Sequence, residues 1–152
     1  MKRAILAAIA LVAVPFVALA DDDDAAKPEG EMGLAGLLSK SNREKLPELT
    51  LSAGQPVSSG PLTLKSGKYY TLEIKADGSQ ELALEGAGFF RAIWINEIVI
   101  EGIEIRPLGI DSLEFDEAGE AEISFIAIKP GSYQLKVPGS TGDTQQVSIT
   151  IE

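Results

Sequence analysis

Histidine and cysteine are both absent from this chain of 152 residues. Without an imidazole or a thiol, the chain has no Ser–His–Asp or Cys–His catalytic system and no disulfide. Zinc sites built from imidazole or thiolate ligands are excluded for the same reason. What remains is the chemistry of carboxylates, Lys and Arg, hydroxyls, aromatic rings and the backbone. We therefore expect a protein that is not an enzyme and holds no cofactor.

The N-terminus has the pattern of a secretory signal peptide. The basic residues Lys2 and Arg3 precede an apolar run from Ala4 to Ala20. The run ends in Ala18-Leu19-Ala20, a small-x-small cleavage pattern. This predicts a cleaved signal peptide at residues 1–20, a periplasmic protein, and no stable membrane insertion after cleavage. The alternative is an uncleaved membrane anchor.

The charge of the chain is strongly acidic. Its formal net charge is −10, and removing Lys2 and Arg3 with the signal peptide makes it −10 − 2 = −12. Such a surface disfavours nucleic acid and anionic lipid headgroups as partners. The expected partner is a protein or a small ligand in the periplasm, bound by a monomer.

Residues 21–45 differ in composition from the rest of the chain. Asp21 to Glu31 is acidic and has too few apolar residues to offset the entropy cost of ordering. Three leucines with helical spacing follow, and they predict a short helix in a linker: Leu34, Leu37 and Leu38. The acidic residues could also bind a metal weakly through oxygen ligands.

From residue 46 onward the apolar residues alternate with a period of two. Tyr70, Leu72 and Ile74 alternate with polar residues, and Asp77-Gly78 predicts a hairpin turn before Leu82. Residues 121–128 are apolar on both faces, as in a central strand. About seven to nine short strands separated by Gly, Pro or Asp predict an all-β sandwich or barrel over residues 46–152.

Three segments between Asn96 and Gly139 resemble the cupredoxins, the Greek-key sandwiches of blue-copper proteins. They are Asn96-Glu97-Ile98-Val99-Ile100, the stretch from Ile110 to Ile128, and Lys129-Pro130-Gly131-Ser132-Tyr133 with the strand that follows. The last segment resembles the Pro-Gly-x-Tyr turn that leads into the strand of the copper cysteine. The chain is most similar to the cupredoxin-like group linked to iron uptake and other periplasmic accessory roles.

The residues at the positions of the copper ligands depart from that family. The resemblance places Asn96 at the first histidine, Val137 at the cysteine and Ser140 at the second histidine. A type 1 copper site needs two imidazoles and a thiolate with a weak axial ligand. An amide, an isopropyl group and a hydroxyl do not supply these donors. The expected metal site is therefore degenerate, and we expect no blue-copper electron transfer.

The candidate ligand- or partner-binding residues are Arg91, Trp94, Asn96 and Ser140. The segment from Phe89 to Asn96 is the densest in aromatics, and as a strand it would place Trp94 and Asn96 on one face. Core packing is the simpler interpretation of these aromatics. Arg91 offers a bidentate contact to a carboxylate, although a salt bridge with Glu97 or Glu101 explains it equally well.

Paired carboxylates offer a third interpretation, hydrolysis. A glycosidase needs two carboxyl groups about 5 to 10 Å apart across a cleft. Glu114 and Asp116 have the spacing of one strand face, but alternation also explains them as the solvated side of a half-buried strand. The leading hypothesis is a non-enzymatic periplasmic accessory or binding module on a cupredoxin-like scaffold. The alternative is a periplasmic protein that handles copper or iron with oxygen ligands.

Overall fold

The structure, a computed structural model, describes residues 34–152. Two 3₁₀ turns, Leu34–Leu38 and Lys40–Asn42, open this part. The predicted signal peptide and the acidic run from Asp21 to Glu31 lie outside the described residues. No helix in residues 34–152 is long and apolar enough to cross a membrane.

Two mixed β-sheets pack face to face and confirm the predicted all-β sandwich. Sheet A has the order β1-β4-β9-β6-β7, and β2 also pairs with β4. Its strands are β1 (Arg43–Lys45), β2 (Leu49–Leu51), β4 (Tyr69–Ala76), β6 (Ile93–Ile100), β7 (Ile103–Ile105) and β9 (Gly119–Ala127). Sheet B has the order β3-β11-β10-β5-β8. Its strands are β3 (Leu62–Leu64), β5 (Leu82–Glu85), β8 (Ser112–Phe115), β10 (Gly131–Lys136) and β11 (Gln146–Ile151).

The core lies between the sheets and follows the predicted alternation. The inward residues of β4 are Tyr70, Leu72 and Ile74, each at most 2% exposed. β9 pairs with β4 on one side and β6 on the other, which confirms a central strand over most of residues 121–128. Its side chains are buried on both faces from Ile123 to Ala127.

Two connections differ from the prediction. Asp77-Gly78 does not join a hairpin, because β4 belongs to sheet A and β5 to sheet B. Gly78 has a positive φ of 72°, and a Cβ there would lie 2.7 Å from the backbone nitrogen of Ala118. The turn therefore needs glycine, but it carries the chain from one sheet to the other.

The second difference is a helical turn at the start of the aromatic segment. Residues Ala87–Phe90 form α1, and the strand β6 begins only at Ile93. Phe89 and Phe90 are buried from this turn, and Phe89 contacts the Phe125 ring edge-on at 5.6 Å. The helical turn lies where the chain crosses from β5 in sheet B to β6 in sheet A.

The N-terminal segment is anchored to the sandwich by a buried amide. Asn42 is 4% exposed, and its Nδ2 donates to the carbonyl oxygens of Leu37 and Gly67, both at 2.9 Å. β1 then pairs in parallel with the start of β4. Residues 43–45, within the predicted linker, therefore form part of sheet A.

Candidate functional site

Trp94 lies on the outer face of sheet A and is 47% exposed. Its neighbours along β6, Ile93 and Ile95, point into the core, so alternation directs the indole outward. Ile126 is opposite Trp94 on β9, and Tyr69 is opposite Ile126 on β4. Tyr69 and Ile126 are both buried, so Trp94 is the exposed member of an apolar row across the sheet.

Asn96 sits in a β-bulge next to this row. The register between β6 and β9 shifts between Ile95 and Glu97, which leaves Asn96 as the extra residue. Its Nδ2 donates to the Tyr69 hydroxyl at 3.2 Å. The backbone carbonyl oxygen of Asn96 accepts a hydrogen bond of 3.2 Å from the Arg106 guanidinium. The bulge thus turns the side-chain amide of Asn96 toward the hydroxyl of Tyr69.

Charged side chains border the same surface. The Arg43 guanidinium lies 4.9 Å from the centre of the Tyr69 ring, within range of a cation–π contact. Arg106 pairs with Glu97 at 2.9 Å. We call this surface the Trp94 face, defined by Tyr69, Trp94, Asn96, Glu97 and Ile126. It combines an exposed indole with an amide and carboxylate whose positions are held by neighbours.

Val137 and Ser140 lie in the turn directly after β10, a strand of sheet B. Val137 is buried, and its N–H donates to the Gln145 carbonyl at 2.9 Å. Ser140 donates from its Oγ to the Val137 carbonyl at 2.6 Å. The turn is therefore closed by its own hydrogen bonds, while Asn96 bonds to Tyr69 on the outer face of sheet A. The structure does not bring the three predicted copper positions together.

These residues do not fit a type 1 copper ion. The side chain of Val137 packs in the core, and the Ser140 hydroxyl is engaged with the backbone. Neither supplies the thiolate or imidazole that such a site requires. Lys136, the last residue of β10, pairs with Glu85, the last residue of β5, in antiparallel register. Asn96, Val137 and Ser140 therefore do not provide the donors that a type 1 copper ion needs.

Arg91 lies apart from both groups, immediately after α1. It pairs with Asp111 at 3.0 Å, and both side chains are exposed. The predicted alternative partners, Glu97 and Glu101, are not its contacts. Exposed pairs of this kind contribute little to stability, about 0 to 1 kcal/mol. Of the four candidate residues, only Trp94 and Asn96 share a surface.

An ion-pair network on the outer face of sheet A is centred on Glu73. Glu73 alternates with the core residues of β4, yet it is only 7% exposed on the outer side of the strand. It pairs with Lys45 and Lys75, each at 2.6 Å. Hydrogen bonds from Lys45 and Lys75 lower its pKa from 4.5 to about 2. Sequence reasoning missed this burial because the two lysines that cover Glu73 come from different strands.

No group of three or more carboxylates that could hold a metal ion occurs within residues 34–152. Glu114 and Asp116 are both exposed, on edge strand β8 and in the turn after it. The proposed acidic metal-binding segment, Asp21 to Glu31, lies outside the described residues. Metal handling by that segment stays a prediction.

Comparison with solved structures shows the fold. The chain resembles a multicopper oxidase from Pseudomonas Thermotolerans with a TM-score of 0.53 and 16% identity, over 75% of this chain and 31% of that one. A multicopper oxidase from Pseudomonas Parafulva gives a TM-score of 0.53 and 16% identity, over 74% of this chain and 31% of the other. The fold is a cupredoxin-like β-sandwich.

The similarity extends to the fold and no further. The chain spans about a third of the length of those oxidases. No protein-family model matches the chain. No curated protein matches it either. The cupredoxin-like architecture inferred from the C-terminal motifs is thus confirmed, whereas the activity named for the oxidases belongs to those proteins.

Proposed function

We propose that this protein is a non-enzymatic, exported binding module on a cupredoxin-like scaffold without a type 1 copper site. The observation that carries the proposal is the separation of the two groups of residues. Asn96 is bonded to Tyr69 on sheet A, and Val137 and Ser140 close a turn of sheet B. This separation supports a scaffold that is cupredoxin-like in architecture and carries no type 1 copper ion.

The signal-peptide pattern at residues 1–20 supports export to the periplasm. The likeness of the C-terminal segments to the iron-uptake group supports an accessory role in metal uptake. Export to the periplasm and the accessory role are both part of the proposal.

The Trp94 face is the proposed binding surface. A half-exposed indole offers a large apolar contact at low entropy cost, and its N–H is a hydrogen-bond donor. Tryptophan is enriched among the residues that dominate binding energy at protein interfaces. Asn96 and Glu97 are held in place by Tyr69 and Arg106, so a bound group would meet oriented polar partners. Pre-organisation of this kind reduces the cost of association.

Copper titration tests the first half of the proposal. Purified protein is mixed with Cu(II), and its visible absorbance and thermal unfolding are followed. We expect no intense blue thiolate-to-copper band and the same melting temperature with and without Cu(II), because a ligand that binds only the folded state raises that temperature. A reproducible blue band would overturn the proposal.

Photo-crosslinking tests the second half. A photoreactive phenylalanine analogue replaces Trp94 in protein exported by cells, and the matched control carries it at Ser132, an exposed position on β10 of the other sheet. We expect a discrete adduct at position 94 that is absent at position 132. The same adducts at both positions, or none at position 94, would contradict a binding surface at Trp94.

A further inference from the structure

The sandwich has one long side on which apolar residues remain exposed. Within residues 34–152, β7 pairs only with β6 and β8 only with β5, so each is the edge strand of its sheet. The loop of residues 106–111 joins them, and both strands therefore border the same side. We call this side the open edge, and its apolar residues are Ile103, Ile105, Leu108, Ile110, Leu113 and Phe115.

Side chains of β7 that face the interior are not covered. Ile105 lies opposite Ile98, which is buried in the core, and Ile103 lies opposite Ile100. Residues directly opposite in an antiparallel pair project to the same face of the sheet, so both β7 isoleucines point inward. Nevertheless, Ile103 is 65% exposed and Ile105 is 43% exposed.

The backbone of β7 also has hydrogen-bonding groups that point toward the free edge of sheet A. Glu101 and Gly102 have positive φ values of 48° and 80°, as in a type I′ two-residue hairpin turn. Such a turn makes Ile100 and Ile103 a hydrogen-bonded pair, and pairs alternate along an antiparallel ladder. Glu104 therefore directs its N–H and carbonyl groups away from β6, toward the free edge.

The charge around the open edge is predominantly acidic, although Arg91 pairs with Asp111 there at 3.0 Å. Between Arg91 and Lys129 the single basic residue is Arg106, which pairs with Glu97 and Glu104. The acidic residues of the same stretch are Glu97, Glu101, Glu104, Asp111, Glu114, Asp116, Glu117, Glu120 and Glu122. A second copy of the chain would bring two acidic rims together, which costs free energy. A basic partner would be attracted.

We propose that the open edge binds an extended segment of another protein, which adds a strand beside β7. Alternate apolar side chains of that segment pack on Ile103 and Ile105, and its Lys or Arg side chains meet the acidic rim. Strand addition of this kind takes its affinity from main-chain hydrogen bonds and its specificity from pockets for alternate side chains. The inference rests on the proposed binding role, but it concerns a surface separate from the Trp94 face.

Three labelled peptides test the proposal by fluorescence anisotropy with purified protein. The probe is Lys-Val-Lys-Val-Lys-Val-Lys, and the matched peptides replace every Lys by Glu or every Val by Gly. We expect saturable binding of the probe, with amide chemical-shift changes on β7 and β8. Both matched peptides should bind at least about tenfold more weakly, since one lacks the charge and the other the apolar contacts. Equal binding of the Val and Gly peptides would overturn the proposal.

Variants of the protein locate the site. Ile103→Ser with Ile105→Ser should weaken binding of the probe by about tenfold or more, because both contacts become polar. Ile128→Ser removes an isoleucine of similar exposure outside the open edge and should leave binding unchanged. Both substitutions are on the surface, so unchanged melting temperatures verify folding.

The remaining outcomes separate the two proposals. Probe binding lost in Trp94→Ala and retained in Ile103→Ser/Ile105→Ser would overturn the open-edge site, whereas the proposed binding role would stand. A dimer in sedimentation that disappears in the double variant would also overturn it, because the occupant would be a second copy. A blue copper band would refute the proposed function without affecting the peptide result.

Discussion

Replacing Phe89 by alanine should destabilise the protein by about 3 to 5 kcal/mol, the usual cost of removing a buried phenylalanine. The side chain is 1% exposed and contacts three rings. The ring centroids of Phe125, Phe90 and Tyr133 lie 5.6, 5.7 and 6.4 Å from that of Phe89. Aromatic pairs contribute roughly 0.5 to 1.5 kcal/mol beyond area burial, so the cost should lie in the upper part of the range. The free energy of unfolding of a typical domain is about 5 to 15 kcal/mol, so this loss would remove a large part of the stability.

Urea unfolding measures this loss. Trp94 is the only tryptophan, and its fluorescence, together with circular dichroism, reports the transition. The free energy of unfolding follows from linear extrapolation, and an unchanged slope verifies that the denatured state is comparable. Phe89→Leu should cost less than about 1.5 kcal/mol because it conserves most of the volume. Ile103→Ala, at an exposed position, should change stability by about 0.5 kcal/mol or less.

A loss below about 1 kcal/mol for Phe89→Ala would refute the reasoning, because values that small are typical of surface positions. It would mean that Phe89 faces solvent on a strand instead of pointing from α1 into the core. The strand β6 and its Trp94 would then begin from a different connection, and the Trp94 face would have to be redefined.

Three further predictions address charge, backbone and metal. The pKa of Glu73 is lowered from 4.5 to about 2. Its ion pairs therefore stabilise the fold above pH 4.5, and this stabilisation is lost as the pH falls toward 2. Glu73→Gln should therefore be less stable than the parent at pH 7 and converge with it near pH 2 in pH-dependent unfolding. Gly78→Ala should cost more than about 1 kcal/mol by urea unfolding, because of its positive φ and the close backbone of Ala118. The triple variant Asn96→His, Val137→Cys and Ser140→His introduces the ligand types of a type 1 copper site. It should give no blue band on Cu(II) addition, because Asn96 is on β6 of sheet A whereas Val137 and Ser140 follow β10 of sheet B.

Outcomes that contradict these predictions are equally definite. Parallel pH profiles of the parent and Glu73→Gln would mean that the carboxylate titrates normally in the folded state. An unchanged stability of Gly78→Ala would mean that the turn has another conformation. A blue band from the triple variant would place Asn96 beside the Val137–Ser140 turn.

Much of the fold was predictable because alternation is a local property. A residue such as Leu72 faces the core if its neighbours Thr71 and Glu73 face outward, whatever the rest of the chain does. The double-sided apolar pattern around Ile123 likewise identified a central strand. The Pro130–Gly131 turn and the strand after it were recognisable for the same reason, since turn chemistry depends on a few adjacent residues.

The candidate site was predictable only in part. Trp94 and Asn96 were selected together, and they do share a surface, although a bulge rather than regular alternation turns Asn96 toward Tyr69. Tyr69 and Glu73 were missed because their burial comes from side chains on neighbouring strands. Ser140 was grouped with Asn96 from the resemblance to the cupredoxin ligand positions, and that resemblance did not show where this chain folds the two residues.

By itself, the sequence determined the available chemistry and the kind of fold. The absence of His and Cys excludes a type 1 copper site in any conformation, since its ligands do not exist in the chain. The period-two pattern required sheets with one buried face. Only the tertiary structure decided that Asp77-Gly78 crosses between sheets, that Asn96 and Val137 lie apart, and that the isoleucines of β7 remain exposed. These depend on which strands become neighbours and where each sheet ends, and contacts between distant segments set both.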